Sequence, residues 1–334
     1  MLDLAVWIRD EYTKRDIQDI VIPGDVFHNR FEVAVSTINT AVQFFQILKD
    51  FNIVVTIGNH DAYYRDRSDV NSLSIFDEWP NITIIDQLTI VEQFDCTYAL
   101  CPWAVDIDLI PVCDIIFGHF EFNGFHLAHQ KICTTGHDGG KLSDRCPLII
   151  TGHFHMHAER KYDNGLIKYL GTAYQLNWAE AGDDKFIYVL DLEEGKFEEK
   201  IRNVGATPLH IREKMSSWIG NDRQFTSTSR IKGNFINAII DTEAKKLVSR
   251  DGETFEVDDT GSVAEDFVAA INAHNPRDVR VTHANDADGF DTDREFDGID
   301  IPTTIVEFVE LLDLDRPTKD AVSSRTRALY EVTI

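Results

Sequence analysis

Residues 53–61 read IVVTIGNHD, a run of Ile, Val and Thr suited to a buried strand that stops on Gly58, Asn59, His60 and Asp61. Taken alone, Gly and Asn make an ordinary turn, and His or Asp can cap a following helix. The same design recurs three times, however. IPGDVFH (22–28), IFGHFEFNGF (116–125) and ITGHFHMH (150–157) each run an apolar strand into a glycine followed at once by a metal-ligand type of residue. Seven of the twelve histidines lie between 119 and 157, whereas core or surface histidines would be scattered. Four such strand ends read together as one ligand cluster.

Working outward, Leu4, Ile8 and Tyr12, with Trp7 beside them, have helical spacing, and DIVIPGD (19–25) reads as a short strand. Ala34, Ile38, Ala41, Phe45 and Leu48 form a second helical stripe before 53–57. This strand, helix, strand order predicts a parallel crossover, with Asp25 and Asn59 at one sheet edge where open α/β sheets place ligands. Short strands are predicted at 82–85, 88–92, 114–118, 148–152, 167–171 and 185–192, enough for a second sheet packed on the first. After about residue 203 a smaller unit follows, with strands at 235–241 and 278–283 around a helix near 263–273. The stretch 284–300 is an acidic linker. It imitates a calcium loop, but aligning Asp293, Glu295, Asp297 and Gly298 puts Thr304 where a bidentate Glu belongs. Segments 303–312 and 319–330 read as amphipathic helices around Pro317.

A chain of 334 residues with 43% hydrophobic content can bury about two domain cores. No apolar run approaches the ~18 residues of a membrane span, and no basic leader opens the chain. Five cysteines without a CxxC pair argue against a disulfide framework and a thiolate zinc site, and for a reducing cytoplasmic setting. The net charge of −25 counts against nucleic-acid binding by the chain alone. Residues 241–315 hold 21 Asp/Glu against 6 Lys/Arg, so the carboxyl-terminal third is the acidic part.

The ligand types are a carboxylate, an amide oxygen and imidazoles, without thiolate, which suits manganese, iron or zinc. A carboxylate can bridge two ions about 3.5–4 Å apart, the arrangement of two-metal hydrolases of phosphate esters. Water activated by metal then attacks phosphorus in line, while a nearby histidine stabilises or protonates the leaving oxygen.

GDVFH, GNHD, GHFEFNGF and GHFH, in this order and spacing, resemble the calcineurin-like metallophosphoesterases. Within them the chain is most similar to the SbcD-type nucleases, including the recombination nuclease subunits of T-even-type phages. The resemblance implies an α/β fold, a two-sheet αββα sandwich over 1–203, with a small α+β capping domain at 204–284. An acidic linker at 285–302 and ATPase-binding helices at 303–334 complete it. By the same resemblance Asp25 is the bridging carboxylate, and Asn59, His119 and His153 are the other ligands of the second metal. His155 is a ligand of the first metal, His60 contacts the scissile phosphate with Asp61 orienting it, and His28 helps to place the DNA end. His157 has no family role and reads as a surface histidine. Manganese is the expected ion, with magnesium, iron or zinc as alternatives. The implied partners are an SbcC-type ATPase and DNA, in a heterotetramer built on a homodimer and without a membrane.

These enzymes begin with a strand ending in an Asp-x-His pair that supplies two ligands of the first metal. This chain starts at the helix after it, and no other Asp-x-His replaces it. The expectation is one well-held ion and low activity, through an internal start codon, a split gene or a changed role. Three functions remain open: the nuclease subunit, a small-substrate phosphodiesterase, and a catalytically weak scaffold for the ATPase.

Overall fold

A computed structural model of the chain describes residues 1–283 apart from 94, 129–130, 193–195, 219–229, 241–245, 249–253 and 257–261, together with 319, 322 and 325. The acidic linker and almost all of 303–334 therefore lie outside the described residues. Contacts divide the chain into Met1–Asp286 and Ala287–Ile334.

The first crossover forms as its pattern predicts. α1 (Leu2–Thr13) buries Leu4, Ala5, Ile8 and Tyr12, one face at helical spacing. β1 (Asp19–Ile22) runs into α2 (Val35–Ile47) and back to β2 (Asn52–Thr56), and β3 (Ile82–Ile85) completes a parallel sheet in the order β1-β2-β3. Ile20 lies opposite Ile53, and Ile53 opposite Ile82. Under this sheet Leu4 and Ile8 of α1 pack with Phe45 and Leu48 from α2 and its end.

The second sheet begins with β4 (Thr89–Gln93), β5 (Cys96–Cys101) and β6 (Ile115–Gly118). A small hairpin, β7 (His126–Ala128) and β8 (Lys131–Ile132), and a short helix α3 (Gly139–Ser143) precede β9 (Leu148–Thr151), β10 (Ala158–Lys161) and β11 (Leu166–Tyr169). Six strands pair in the order β10-β11-β9-β6-β5-β4, antiparallel only at the two edges. Period-2 alternation gives this sheet two buried faces. Leu100, Ile115, Phe117, Leu148 and Ile150 meet Val21 and Val54 of the first sheet, while Ala99, Ile116, Ile149 and Ile167 pack under Phe120, Phe122 and Leu142. The layers are thus helix, sheet, sheet, helix, as expected.

β12 (Phe186–Asp191) pairs with β13 (Lys196–Arg202) and adds Ile187, Val189 and Ile201 to the helix-side core. Farther on, β14 (His210–Lys214), β15 (Phe235–Ile240) and β18 (Asp278–His283) form a separate parallel sheet. Between them come a hairpin, β16 (Lys246–Val248) with β17 (Thr254–Glu256), and α4 (Ser262–Asn272). Ile211, Ile236, Ala238, Phe267 and Ile271 give this unit its own core. No described helix is long and apolar enough to cross a membrane, and all five cysteines are free and buried.

Candidate metal centre

The four glycine-terminated strands, β1 and β2 in one sheet and β6 and β9 in the other, end at one place. Ligand atoms of Asp25, His119 and His153 all lie within 4.8 Å of one another. Asn59 completes the group, its Oδ1 3.0 Å from His119 Nε2 and 2.9 Å from His153 Nδ1. His119 Nε2 is 3.1 Å from Asp25 Oδ2.

The glycines make this approach sterically allowed. A Cβ on Gly58 would lie 2.1 Å from Asp25 Oδ1, and one on Gly152 would lie 2.1 Å from the Pro23 carbonyl oxygen. The sequence suggests that Gly58 serves a sharp turn. Instead it leaves space, because its φ is not positive, while the left-handed region is taken by the non-glycine residues Asp25 (φ 58°) and His153 (φ 89°). Such a backbone costs on the order of 1–2 kcal/mol per residue and persists where the surroundings over-determine it.

Hydrogen bonds assign the tautomers. His119 Nδ1 lies 2.7 Å from the Pro23 carbonyl, which can only accept, so the proton is on Nδ1 and the Nε2 lone pair faces Asp25 and Asn59. His153 has an acceptor at each ring nitrogen, Glu121 Oε2 3.4 Å from Nε2 and Asn59 Oδ1 2.9 Å from Nδ1. With its proton on Nε2 toward Glu121, its Nδ1 lone pair would be available to an ion beside Asn59. A carboxylate, an amide oxygen and two imidazole nitrogens thus face one another at about hydrogen-bonding distance, a group that a cation could gather. The donor set fits a divalent ion of the N/O type. Burial opposes the ionised form of Asp25, yet the neighbouring imidazoles of His119 and His60 outweigh it and hold the carboxyl well below its ordinary range. Burial also opposes a charged His119, but the charge of Asp25 and its hydrogen bond prevail and raise the pKa. Burial dominates at His153 and lowers its pKa, which favours the neutral, ligating form.

His60 sits beside this cluster. Its backbone N–H donates to Asp25 Oδ1 at 2.9 Å, its Nδ1 meets the His28 carbonyl oxygen at 2.5 Å, and the two imidazoles stack 5.4 Å apart. The His60 proton is therefore on Nδ1, which leaves Nε2 as the atom to meet a substrate. The Asp61 carboxylate is held by backbone amides. It accepts the amides of Asp25 (2.8 Å), Phe27 (3.0 Å) and Gly58 (3.0 Å), binding two motif loops together. Burial and the charge of Asp25 push its pKa up to about 6.

His155 is not one of the three clustered side chains. Its Nδ1 lies 3.0 Å from Glu180 Oε1, and Glu180 Oε2 pairs with Lys185 Nζ at 2.6 Å, both side chains about 5% exposed or less. His157, expected at the surface, is half-buried, with Nδ1 near the Tyr169 carbonyl (3.1 Å) and the Tyr188 hydroxyl (2.9 Å). Three supporting residues escaped the sequence reading. Glu121 stood within GHFEFNGF, two residues after His119. Trp103, whose ring centroid lies 6.0 Å from that of His119 and 5.4 Å from that of His153, and Glu180 carry no motif.

No family model matches the chain. It is similar to exonuclease subunit 1 of Enterobacteria phage T4, with 23% identity over 306 residues covering 82% of this chain and 88% of the relative. A phosphoesterase-like protein of Invertebrate iridescent virus 6 is 26% identical over 213 residues, covering 58% and 72% of the two chains. One from Invertebrate iridescent virus 3 is 25% identical over 185 residues, covering 48% and 49%. A solved archaeal phosphodiesterase aligns over 60% of this chain and 93% of its own, with 17% identity and a TM-score of 0.34, a superposition too loose to bear on the fold. The resemblance carried by the motifs is borne out: the chain is related to hydrolytic phosphoesterases and to an exonuclease subunit among them.

Proposed function

We propose that this chain is a metal-dependent nuclease that hydrolyses phosphodiester bonds of DNA, as the nuclease subunit of a phage-type recombination and repair complex. The supporting observation is the convergence of Asp25, Asn59, His119 and His153 from four strand ends in a chain similar, over most of its length, to an exonuclease subunit. These four residues would hold one divalent ion, manganese first, and His155 would contribute to a second. An ion bound there supplies charge neutralisation at the phosphoryl oxygens and lowers the pKa of water. The chain's own groups do the rest. Asp25, ionised, fixes the backbone of His60 through its Oδ1. His60 holds one proton on Nδ1 against the His28 carbonyl, so its Nε2 would act as a general acid at the leaving oxygen only when the ring carries a second proton there. Trp103, beside both imidazoles, limits water on that flank.

The unit at 204–284 would cap the site, and 285–302 would link it to the segment 303–334, which would dock on an SbcC-type ATPase. An acidic chain needs a basic partner to hold duplex DNA, and the ATPase would supply it. A homodimer within a heterotetramer is the proposed assembly. The second reading is a catalytically weak subunit that serves mainly as a scaffold for the ATPase.

Metal analysis of the chain alongside manganese-dependent cleavage of a DNA oligonucleotide and of a small phosphodiester tests the proposal. One tightly bound manganese and cleavage of both substrates are expected, with little binding of duplex DNA by the chain alone. Cleavage of the small diester only would replace it with the small-substrate reading, and metal binding without any cleavage would leave the scaffold.

A further inference from the structure

The loops that carry His28 and His60 go on to present aromatic rings to solvent. Phe31 is 72% exposed, Tyr63 46% and Tyr64 38%. Their rings touch edge to face, Phe31 against Tyr63 at 5.9 Å and Tyr63 against Tyr64 at 4.9 Å, and the Arg67 guanidinium lies 4.0 Å over Tyr64 while pairing with Asp69 at 3.3 Å. A water-soluble surface gains nothing from so much apolar ring left wet beside a reactive histidine unless a ligand covers it.

The patch is rooted in the metal loops. Asn29 Oδ1 accepts the Phe31 amide at 3.0 Å, and Arg30 donates to the Asn59 carbonyl oxygen at 2.6 Å. The Tyr63 amide is held by the Val70 carbonyl at 2.9 Å, and Trp103, beside His119 and His153, donates to the Arg65 carbonyl at 2.9 Å. A phosphate at His60 would therefore lie on the same loops as these rings. Charge decides what those faces receive. In a chain of net charge −25, phosphate neutralisation by side chains contributes little to affinity for nucleic acid, and another attraction would have to add to it. Stacking of bases on aromatic rings is sequence-tolerant and needs no charge, but it requires unpaired bases, because a duplex hides their faces.

We infer that Phe31 and Tyr63 form a stacking platform for unpaired nucleobases flanking the phosphate at His60, so that the substrate at this site is single-stranded or frayed nucleic acid. The inference rests on the nuclease reading above and narrows its substrate class. Tyr64 with Arg67 extends the platform along the strand.

The test compares a fluorescent single-stranded DNA oligonucleotide with the same strand carrying tetrahydrofuran abasic residues, each bound to the full chain in chelator-containing buffer. Removing bases should weaken binding to the wild type by about 5- to 100-fold. In Phe31→Ala and Tyr63→Ala the same removal should make little further difference, and Phe31→Trp should restore the effect. Raising salt from about 50 to about 200 mM should change the base-dependent part little. Equal affinity for both strands in the wild type, or an undiminished base effect in the alanine variants, would overturn the inference. So would a shift from dimer to monomer on sedimentation of Phe31→Ala with its nucleic-acid affinity intact. Cleavage of the oligonucleotide with manganese is measured separately. If cleavage occurs without a base effect, only the platform falls; if neither cleavage nor binding occurs while a small diester is hydrolysed, the nuclease reading falls and takes the platform with it.

Discussion

His153 and His155 are two residues apart and are held in opposite ways. His153, in a strained backbone, is wedged between Asn59 and Glu121 in a group of donors from four loops whose lone pairs converge on one point. His155 is fixed by protein alone, through Glu180 and the buried Glu180–Lys185 pair. The first region gathers donor atoms that face one another, whereas in the second the imidazole rests on a buried ion pair. Metal should therefore order and stabilise the first, and substitutions in the second should be felt as folding energy.

The largest effects belong to the donor group. His153→Ala removes one of its two imidazoles, and both metal content and manganese-dependent hydrolysis should collapse, the latter by about 10²-fold or more. His60→Ala should lower hydrolysis by about 10²- to 10⁴-fold while metal stays, since the backbone amide that donates to Asp25 Oδ1 survives the substitution. Metal analysis and a cleavage assay on the two variants check the contrast. Equal loss of metal in both would make His60 part of the ion's support rather than a group acting on substrate.

On the His155 side the expected change is in stability. Glu180→Ala strips Lys185, 4% exposed, of its nearer carboxylate partner and leaves Asp183 Oδ2 at 3.9 Å, with the Thr172 hydroxyl and the His155 carbonyl still accepting from it. Breaking a buried pair in this way should cost about 3–5 kcal/mol, read from the urea midpoint. The pH dependence has a definite sign. Burial opposes the charged form of Glu180, but the hydrogen bond with His155 and the charge of Lys185 prevail and lower its pKa in the folded chain. Its stabilisation is then fully present above the ordinary glutamate value of about 4.3 and is lost as pH falls from there through the lowered folded value. Glu180→Gln should flatten the stability curve in that acid window. An unchanged curve would show that Glu180 and Lys185 do not act as a pair.

What was legible in the sequence follows from the same contrast. Strands rich in Ile and Val, such as 53–57, 82–85 and 148–151, announce themselves through burial on both faces, and a glycine followed by a ligand residue marks where they end. β5 was missed because CTYALC mixes Cys, Ala and Leu without a β-branched run, and β13 because KFEEKIR is charged and lies on a two-stranded ribbon. The metal ligands were legible because each follows its own glycine. The three amides that Asp61 accepts are not legible because no side-chain pattern records backbone partners, nor is the clearance at Gly58, because the atom it must clear belongs to a loop 33 residues earlier. Glu180 and Trp103 are placed by chain folding alone.

Glu121 gives the smallest and finest test of how the His153 side differs from the His155 side. The hydrogen bond from His153 comes first among the causes that hold its carboxyl at about 2, ahead of the opposing burial and the help of the Thr135 hydroxyl, 2.6 Å away. An ionised carboxylate on Nε2–H makes the opposite nitrogen, Nδ1, a better electron donor and fixes the ring's orientation, and removing such a support typically lowers metal affinity by about 10- to 100-fold. Glu121→Gln keeps an acceptor for the imidazole proton but removes the charge. The manganese concentration giving half-maximal hydrolysis should therefore rise by about 10-fold or more, while the rate at saturating manganese stays near that of the wild type. Unfolding should shift far less than in Glu180→Ala, because Glu121 has no buried cation to abandon. An unmoved manganese titration would reduce Glu121 to a partner of Thr135, and His153 would then, like His155, be positioned by protein alone.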